Sequence, residues 1–299
     1  MNWIPRSAAL TVGVMALSAS GIVTVAAATP VAPPRTAAIG AILAGGVPKG
    51  YILENSGLTG APNGVQSSAT ASCPAGTVVL GGGLDFVSDV FGQEINSSFP
   101  SSTTTWEGDV NNTSGAAASF DVYALCAKAP KGYAIVSSSA DNPPGSDAGS
   151  TVGCPVKTKV LGGGALSSSV DPTVGLNSSW PIAIYSSKPK TSGWGAYENN
   201  ASASDATITA YAVCGKEPGY ALVQGSGVDN PAGTSTEAVA ICPGTSVPLD
   251  GGSHASSANL AVDINSSVLS VGVPGGWITL ANNGSFSDDT VTPYVICAT

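Results

Sequence analysis

Charge is scarce in this 299-residue chain. Lysine and arginine together number ten, aspartate and glutamate nineteen and histidine one, so only 10% of residues are charged and the formal net charge is −9. No arginine follows Arg35. A nucleic-acid partner requires a basic face that neutralises phosphates, which eight scattered lysines do not supply, so nucleic acid is not expected as a partner. There is no run with the periodicity of a useful helix, and the cysteine and histidine content does not suggest a resident metal. Neither a metal nor a cofactor is expected. With 43% hydrophobic residues and abundant glycine, serine, threonine and asparagine, residues 50–299 can still bury a core behind a neutral, polar surface.

Residues 1–28 carry one basic residue, Arg6, then an uncharged Ala/Val/Leu-rich run and small residues at Ala26 and Ala28, the pattern of a secretory signal peptide. Cleavage is expected, which leaves no membrane span; retention as an anchor is the other reading. Residues 29–49, with Pro30, Pro33, Pro34 and Gly45–Gly46, read as a flexible linker. The six cysteines of an exported chain are expected to form disulfides.

One unit occurs three times. The first copy runs from Gly50–Tyr51 through Cys73–Pro74, Leu80-Gly81-Gly82-Gly83, Asn96-Ser97-Ser98, Trp106 and Asn111–Asn112 to Cys126. The second has Gly132–Tyr133, Cys154–Pro155, Leu161-Gly162-Gly163-Gly164, Asn177-Ser178-Ser179, Trp194, Asn199–Asn200 and Cys214. The third has Gly219–Tyr220, Cys242–Pro243, Leu249-Asp250-Gly251-Gly252, Asn265-Ser266-Ser267, Trp277, Asn282–Asn283 and Cys297. The modules are therefore placed at 50–131, 132–218 and 219–299. Runs rich in Val, Ile, Thr, Tyr and Ala between turn residues predict strands, in the third copy over 220–224, 237–242, 246–250, 260–265, 277–281 and 290–297. The fold class is all-β: three tandem, homologous, disulfide-stapled antiparallel β-sandwich-like modules, with a pseudo-threefold β-prism as the alternative. Six cysteines allow fifteen pairings, of which the repeat favours Cys73–Cys126, Cys154–Cys214 and Cys242–Cys297. The Gly-Gly-Gly run reads as scaffold, permitting a bulge or a close backbone approach, rather than as a phosphate loop.

The order CPxGxxVLGGG, NSSxP, GW, NN, YAVC resembles a module of secreted actinobacterial proteins without an established function. The resemblance covers residues 50–299 and implies an extracellular or cell-envelope location, but no activity. Copy two departs from it at Lys157, where the turn glycine stands elsewhere, and copy three at Asp250.

Candidate chemistry is thin. His254 lies near Asp250 and several serines in sequence but lacks a nucleophile elbow, and reads as a polar loop residue. Asp288–Asp289, Asp85–Asp89–Glu94 and Glu107–Asp109 are acidic groupings of the kind a hydrolase uses, though none recurs in every copy. Asp141 and Asp229 precede asparagine and proline and read as turn caps. What recurs is aromatic and amide. Trp106, Trp194 and Trp277 with Asn96, Asn177 and Asn265 are the candidate ligand-binding residues, since sugars stack on rings and bond to amides; the competing expectation is that each Trp anchors a core. Asn96, Asn112, Asn177, Asn200, Asn265 and Asn283 also satisfy the N-glycosylation pattern. The sequence thus predicts a secreted, non-enzymatic structural or binding protein, with glycans or cell-wall components as expected partners. Its alternatives are a lectin using the repeat Trp and Asn residues and a secreted hydrolase with an acidic pair. The oligomeric state is not set by the sequence.

Overall fold

The computed structural model describes residues 48–184, 191–272 and 274–299. The leader, and the linker up to residue 47, lie outside the described residues. All described regular structure is β. Copy one contributes β1 (Ile52–Asn55), β2 (Thr59–Ala61), β3 (Val65–Ser72), β4 (Val78–Phe86), β5 (Gln93–Pro100), β6 (Thr105–Asn112) and β7 (Ala118–Ala127). Copy two contributes β8 (Lys131–Asn142), β9 (Ser146–Gly153), β10 (Lys159–Ser167), β11 (Val174–Ile184), β12 (Thr191–Asn200) and β13 (Ala206–Lys216). Copy three contributes β14 (Ala221–Gln224), β15 (Val228–Asn230), β16 (Thr234–Ile241), β17 (Val247–Ala255), β18 (Val262–Ser270), β19 (Gly276–Asn283) and β20 (Asp289–Ala298). The first strand of copy two is unbroken because it reads Ser137-Ser138-Ser139. The other copies carry Gly57, or Gly225 and Gly227, at the corresponding place, and glycine weakens a strand interior.

Three antiparallel sheets result, and each draws on two copies. Sheet I runs β1-β7-β4-β18-β19-β16, with β2 also on β7; sheet II runs β3-β6-β5-β10-β13-β8; sheet III runs β14-β20-β17-β11-β12-β9, with β15 also on β20. Copy one therefore pairs with copies two and three, and those two pair with each other. The β-sandwich-like modules that the sequence predicts thus share their antiparallel sheets in a closed cycle. The joints are short and equivalent: Ser98 opposite Ala165, Ser179 opposite Ser253 and Ser267 opposite Leu84. Buried apolar residues of all three copies form one core, including Leu80, Leu161, Leu249, Ile95, Leu176 and Ile264.

The disulfides join Cys73–Cys126, Cys154–Cys214 and Cys242–Cys297, as the repeat predicts. In the chain-entropy account each stabilises the fold by about 4 kcal/mol, for closed loops of 53 to 60 residues. The glycine run lies inside a strand and not after one. A register shift falls at Leu80, Leu161 and Leu249, just ahead of it. The second glycine of each run, Gly82, Gly163 or Gly251, lies under the Trp of its own copy, where any Cβ would overlap the indole. The third, Gly83, Gly164 or Gly252, meets the carbonyl of Ser267, Ser98 or Ser179 at the joint with another copy, leaving no room for a side chain.

Candidate functional site

The recurring residues converge on the centre of the molecule. Trp106, Trp194 and Trp277 are 0%, 1% and 1% exposed, so none of these rings offers a face on which a sugar could stack. Each indole N–H donates to the second serine of its copy's Asn-Ser-Ser run: Trp106 to Ser98 at 3.0 Å, Trp194 to Ser179 at 2.8 Å and Trp277 to Ser267 at 2.8 Å. The first serine donates to the asparagine before it and accepts a backbone N–H from another copy, Ser97 from Ser167, Ser178 from Ala255 and Ser266 from Phe86.

The asparagine amides complete the fastening. Asn96 donates to the Ser169 and Val174 carbonyls, Asn177 to those of Ser257 and Val262, and Asn265 to those of Val90 and Gln93. Every bond crosses to the next copy in the cycle. Asn111, Asn199 and Asn282 donate to the same carbonyls of Val174, Val262 and Gln93. Asn112, Asn200 and Asn283 instead hold the loops that follow them, through Ala116, Ser204 and Ser287. A buried amide is costly unless bonded, so a network this complete makes association of the copies specific. It also corrects two expectations. Asn96, Asn177 and Asn265 are at most 3% exposed and spend their amides on the scaffold, and all six glycosylation-pattern asparagines are likewise buried.

The threefold centre holds a cavity of about 20 Å³, lined by Gly82, Gly163 and Gly251, by Ile95, Leu176 and Ile264, and by Ser98, Ser179 and Ser267 with Trp194. That is room for one water molecule, far below the volume of a small-molecule site. Beside it stands Asp250, fully buried, where the other copies have Gly81 and Gly162. A Cβ on Gly81 would come within 2.5 Å of the Asp250 Cβ, and one on Gly162 within 2.5 Å of its Oδ2, so the axis admits one side chain. The carboxyl accepts N–H groups of Gly163 at 2.7 Å and Gly251 at 2.8 Å, and that of Gly82 is directed at it as well. Burial nevertheless pushes its pKa well above the usual carboxylate range.

Further along the cycle Glu94, Gly175 and Asp263 occupy equivalent positions, each two residues ahead of the joint asparagine. Glu94 accepts from Asn111 at 3.1 Å and Asp263 from Asn282 at 2.9 Å. Desolvation raises Glu94 to about 7, and desolvation with the charge of Glu94 raises Asp263. Sequence reading did not bring these two together, because they lie in different copies; aligning the copies two residues before each joint asparagine would have done so. The other acidic groupings serve as fasteners. Asp109 accepts from Ser68, Asp289 from Ser256, and Asp288 from the Ala232 N–H.

A related position carries a mismatch. Asn111 and Asn282 accept on Oδ1 from their cross-strand neighbours Gln66 and Ser235. Opposite Asn199 stands Asp147, an acid with a donor only when protonated; Asn199 Oδ1 and Asp147 Oδ2 are both buried without a partner. Desolvation raises Asp147 to about 6. Among the described residues no three Asp, Glu, His or Cys side chains gather as a metal site.

His254 lies within β17 rather than in a loop. Its ring meets Trp180 edge-on at 4.6 Å and Tyr197 at 6.2 Å, while Trp180 and Tyr197 are nearly parallel, 16° apart with centroids 5.6 Å away. Both oxygens of Asp250 are held by backbone N–H groups, so that acid does not serve the imidazole. This aromatic group occurs once. Its counterparts are Phe99 and Val268 for Trp180, Asp109 and Leu280 for Tyr197, and Asp85 and Leu166 for His254. No family model matches the chain, and no curated protein matches it.

Proposed function

We propose that the chain is an exported, non-enzymatic protein of the cell exterior or envelope, with a structural or ligand-binding role. One observation carries this reading. The polar residues that define the repeat, the asparagines, serines and indole N–H groups, are consumed in holding each copy's own strands and loops and in fastening one copy to the next, which leaves the repeat as architecture rather than chemistry. Three disulfides suit an oxidising, non-cytoplasmic setting, and no helix among the described residues is long and apolar enough to cross a membrane. Low charge and a hydroxyl- and amide-rich composition suit contact with neutral polymers such as cell-wall glycans.

The test is co-sedimentation of the purified protein with insoluble cell-wall polysaccharide, followed by assay of soluble reducing ends. The expected result is sedimentation with the polymer and no increase in reducing ends. Sustained release of reducing ends replaces this reading with the hydrolase.

A further inference from the structure

The group formed by Trp180, Tyr197 and His254, which the other copies do not repeat, lies on the face of sheet III away from the core. Cross-strand register places Trp180 opposite Gly195, and Gly195 opposite Thr151 on the next strand, so Thr151, Gly195 and Trp180 share a face. Tyr197 faces Gly149, and His254 on the other side faces Thr292. The two glycines make the floor. A Cβ on Gly149 would overlap the Tyr197 ring, and one on Gly195 would press on Trp180 at 3.2 Å. Both rings therefore lie low over bare backbone. Tyr197 remains 37% exposed, Trp180 and His254 are partly exposed, and Thr151 is exposed.

We propose that Trp180, Tyr197 and His254 form a platform for a neutral pyranose-containing glycan, with the sugar's C–H face on the rings and its hydroxyls toward His254, Thr151 and Thr292. The proposal rests on the binding reading above and gives it a place and a ligand class. Stacking on partly exposed aromatic rings suits the apolar face of a sugar, and two flanking threonines with an imidazole supply donors and acceptors around it. Desolvation lowers the His254 pKa despite the charge of Asp289, so at neutral pH the ring is uncharged, with one donor and one acceptor nitrogen. An anionic glycan would meet a chain of net charge −9 with Asp289 close to the imidazole. A quaternary ammonium ion needs ring faces on several sides, whereas here one ring is presented edge-on and the floor is flat.

The test uses an internal reporter. Trp106, Trp194 and Trp277 are at most 1% exposed, so Trp180 dominates iodide quenching and N-bromosuccinimide oxidation of the described tryptophans. Wild-type protein is titrated with cellohexaose, maltohexaose and mannohexaose, with a heparin oligosaccharide and choline chloride as the charged arms. At least one neutral hexaose is expected to shift the emission and protect Trp180 from oxidation. Trp180→Ala is expected to weaken that binding about tenfold or more, the loss of one aromatic stacking partner, and Trp180→Phe to restore most of it. Protection in the wild type needs no variant, so a misfolded Trp180→Ala leaves the test intact. Failure of every neutral hexaose, a response to choline or heparin alone, or Trp180 shielding that tracks dimer formation in sedimentation overturns the platform. Wall binding that survives Trp180→Ala unchanged also overturns it while leaving the binding reading standing. Hydrolysis of a hexaose that nevertheless protects Trp180 supports the platform and overturns the non-enzymatic reading.

Discussion

Replacing Asp250 by glycine would make the third copy match the other two, and repeat consensus alone would expect a neutral or stabilising change. The structure requires the opposite. Three backbone N–H groups, from Gly82, Gly163 and Gly251, are directed at the fully buried Asp250 carboxyl. Glycine leaves them without that acceptor, at about 1–3 kcal/mol for each buried donor. Taking the low end for each, because removing a carboxyl raised well above its usual pKa also relieves a desolvation cost, the net loss is about 3 kcal/mol. For a chain of this size that is a fall of about 6–12 °C in melting temperature. Asp250→Asn, which keeps one acceptor oxygen, should fall between Asp250→Gly and wild type. Calorimetry of the three proteins at one pH decides the matter. An Asp250→Gly protein that melts at or above the wild-type temperature would show that the axis does not need its carboxyl.

Three further outcomes are expected. Lys157 adopts φ 73° where copy one has Gly76 at φ 84°, so Lys157→Gly should raise stability by about 1 kcal/mol in denaturant melts; an unchanged midpoint would mean that the turn carries no strain. Asp147 and Glu94 have folded pKa values raised to about 6 and about 7, so their contribution is complete below the ordinary carboxylate range and is lost as pH rises through those values. The melting temperature should therefore fall between pH 5 and pH 8, and Asp147→Ser, which supplies the hydroxyl donor that Ser235 gives Asn282, should flatten part of that fall; a profile that rises over the same window contradicts the assignment. Asn230 is fully buried with both side-chain polar atoms unpartnered, whereas its counterpart Asn142 donates to Glu198 and accepts from Ser146, so Asn230→Ala should leave stability equal or higher by thermal melt. A loss above about 1 kcal/mol would mean that its volume outweighs its polarity.

The architecture was legible because it repeats. Cysteine pairing, strand content and the close approach at Gly-Gly-Gly all follow from markers recurring in one order. In the third copy the predicted strands at 246–250 and 260–265 extend to Ala255 and Ser270, and Val228–Asn230 was missed. The reason is composition. Serine, glycine and asparagine read as turn residues, yet here they sit in strand interiors because the centre is polar and tightly spaced. The same habit misplaced the candidate site. Recurrence selected Trp106, Trp194 and Trp277 with Asn96, Asn177 and Asn265, and residues required in every copy are those that hold the copies together. Trp180 and Tyr197 were passed over, and His254 was read as a polar loop residue, because their counterparts share no chemistry. A signal was present in the residue after each Asn-Ser-Ser run, which is Phe99, Trp180 or Val268.

Sharing sheets in a cycle also fixes an order of events. Two joints connect residues 67 and 74 positions apart, Ser98 with Ala165 and Ser179 with Ser253, whereas the third connects Leu84 with Ser267, 183 apart. In loop-entropy terms the long joint costs only about 0.8 kcal/mol more than the others, so the finished molecule bears little penalty. Timing is affected far more. Until residue 267 has emerged, β4 is paired only with β7 and its other edge in sheet I is open, and before copy three arrives β11 is paired only with β12 and its other edge in sheet III is open. A chain interrupted ahead of that point presents two open strand edges, the surfaces that recruit other chains into aggregates. The last copy thus acts as a completeness check on the first two. Synthesis truncated after copy two should yield a sticky, protease-sensitive product rather than a smaller version of the same protein.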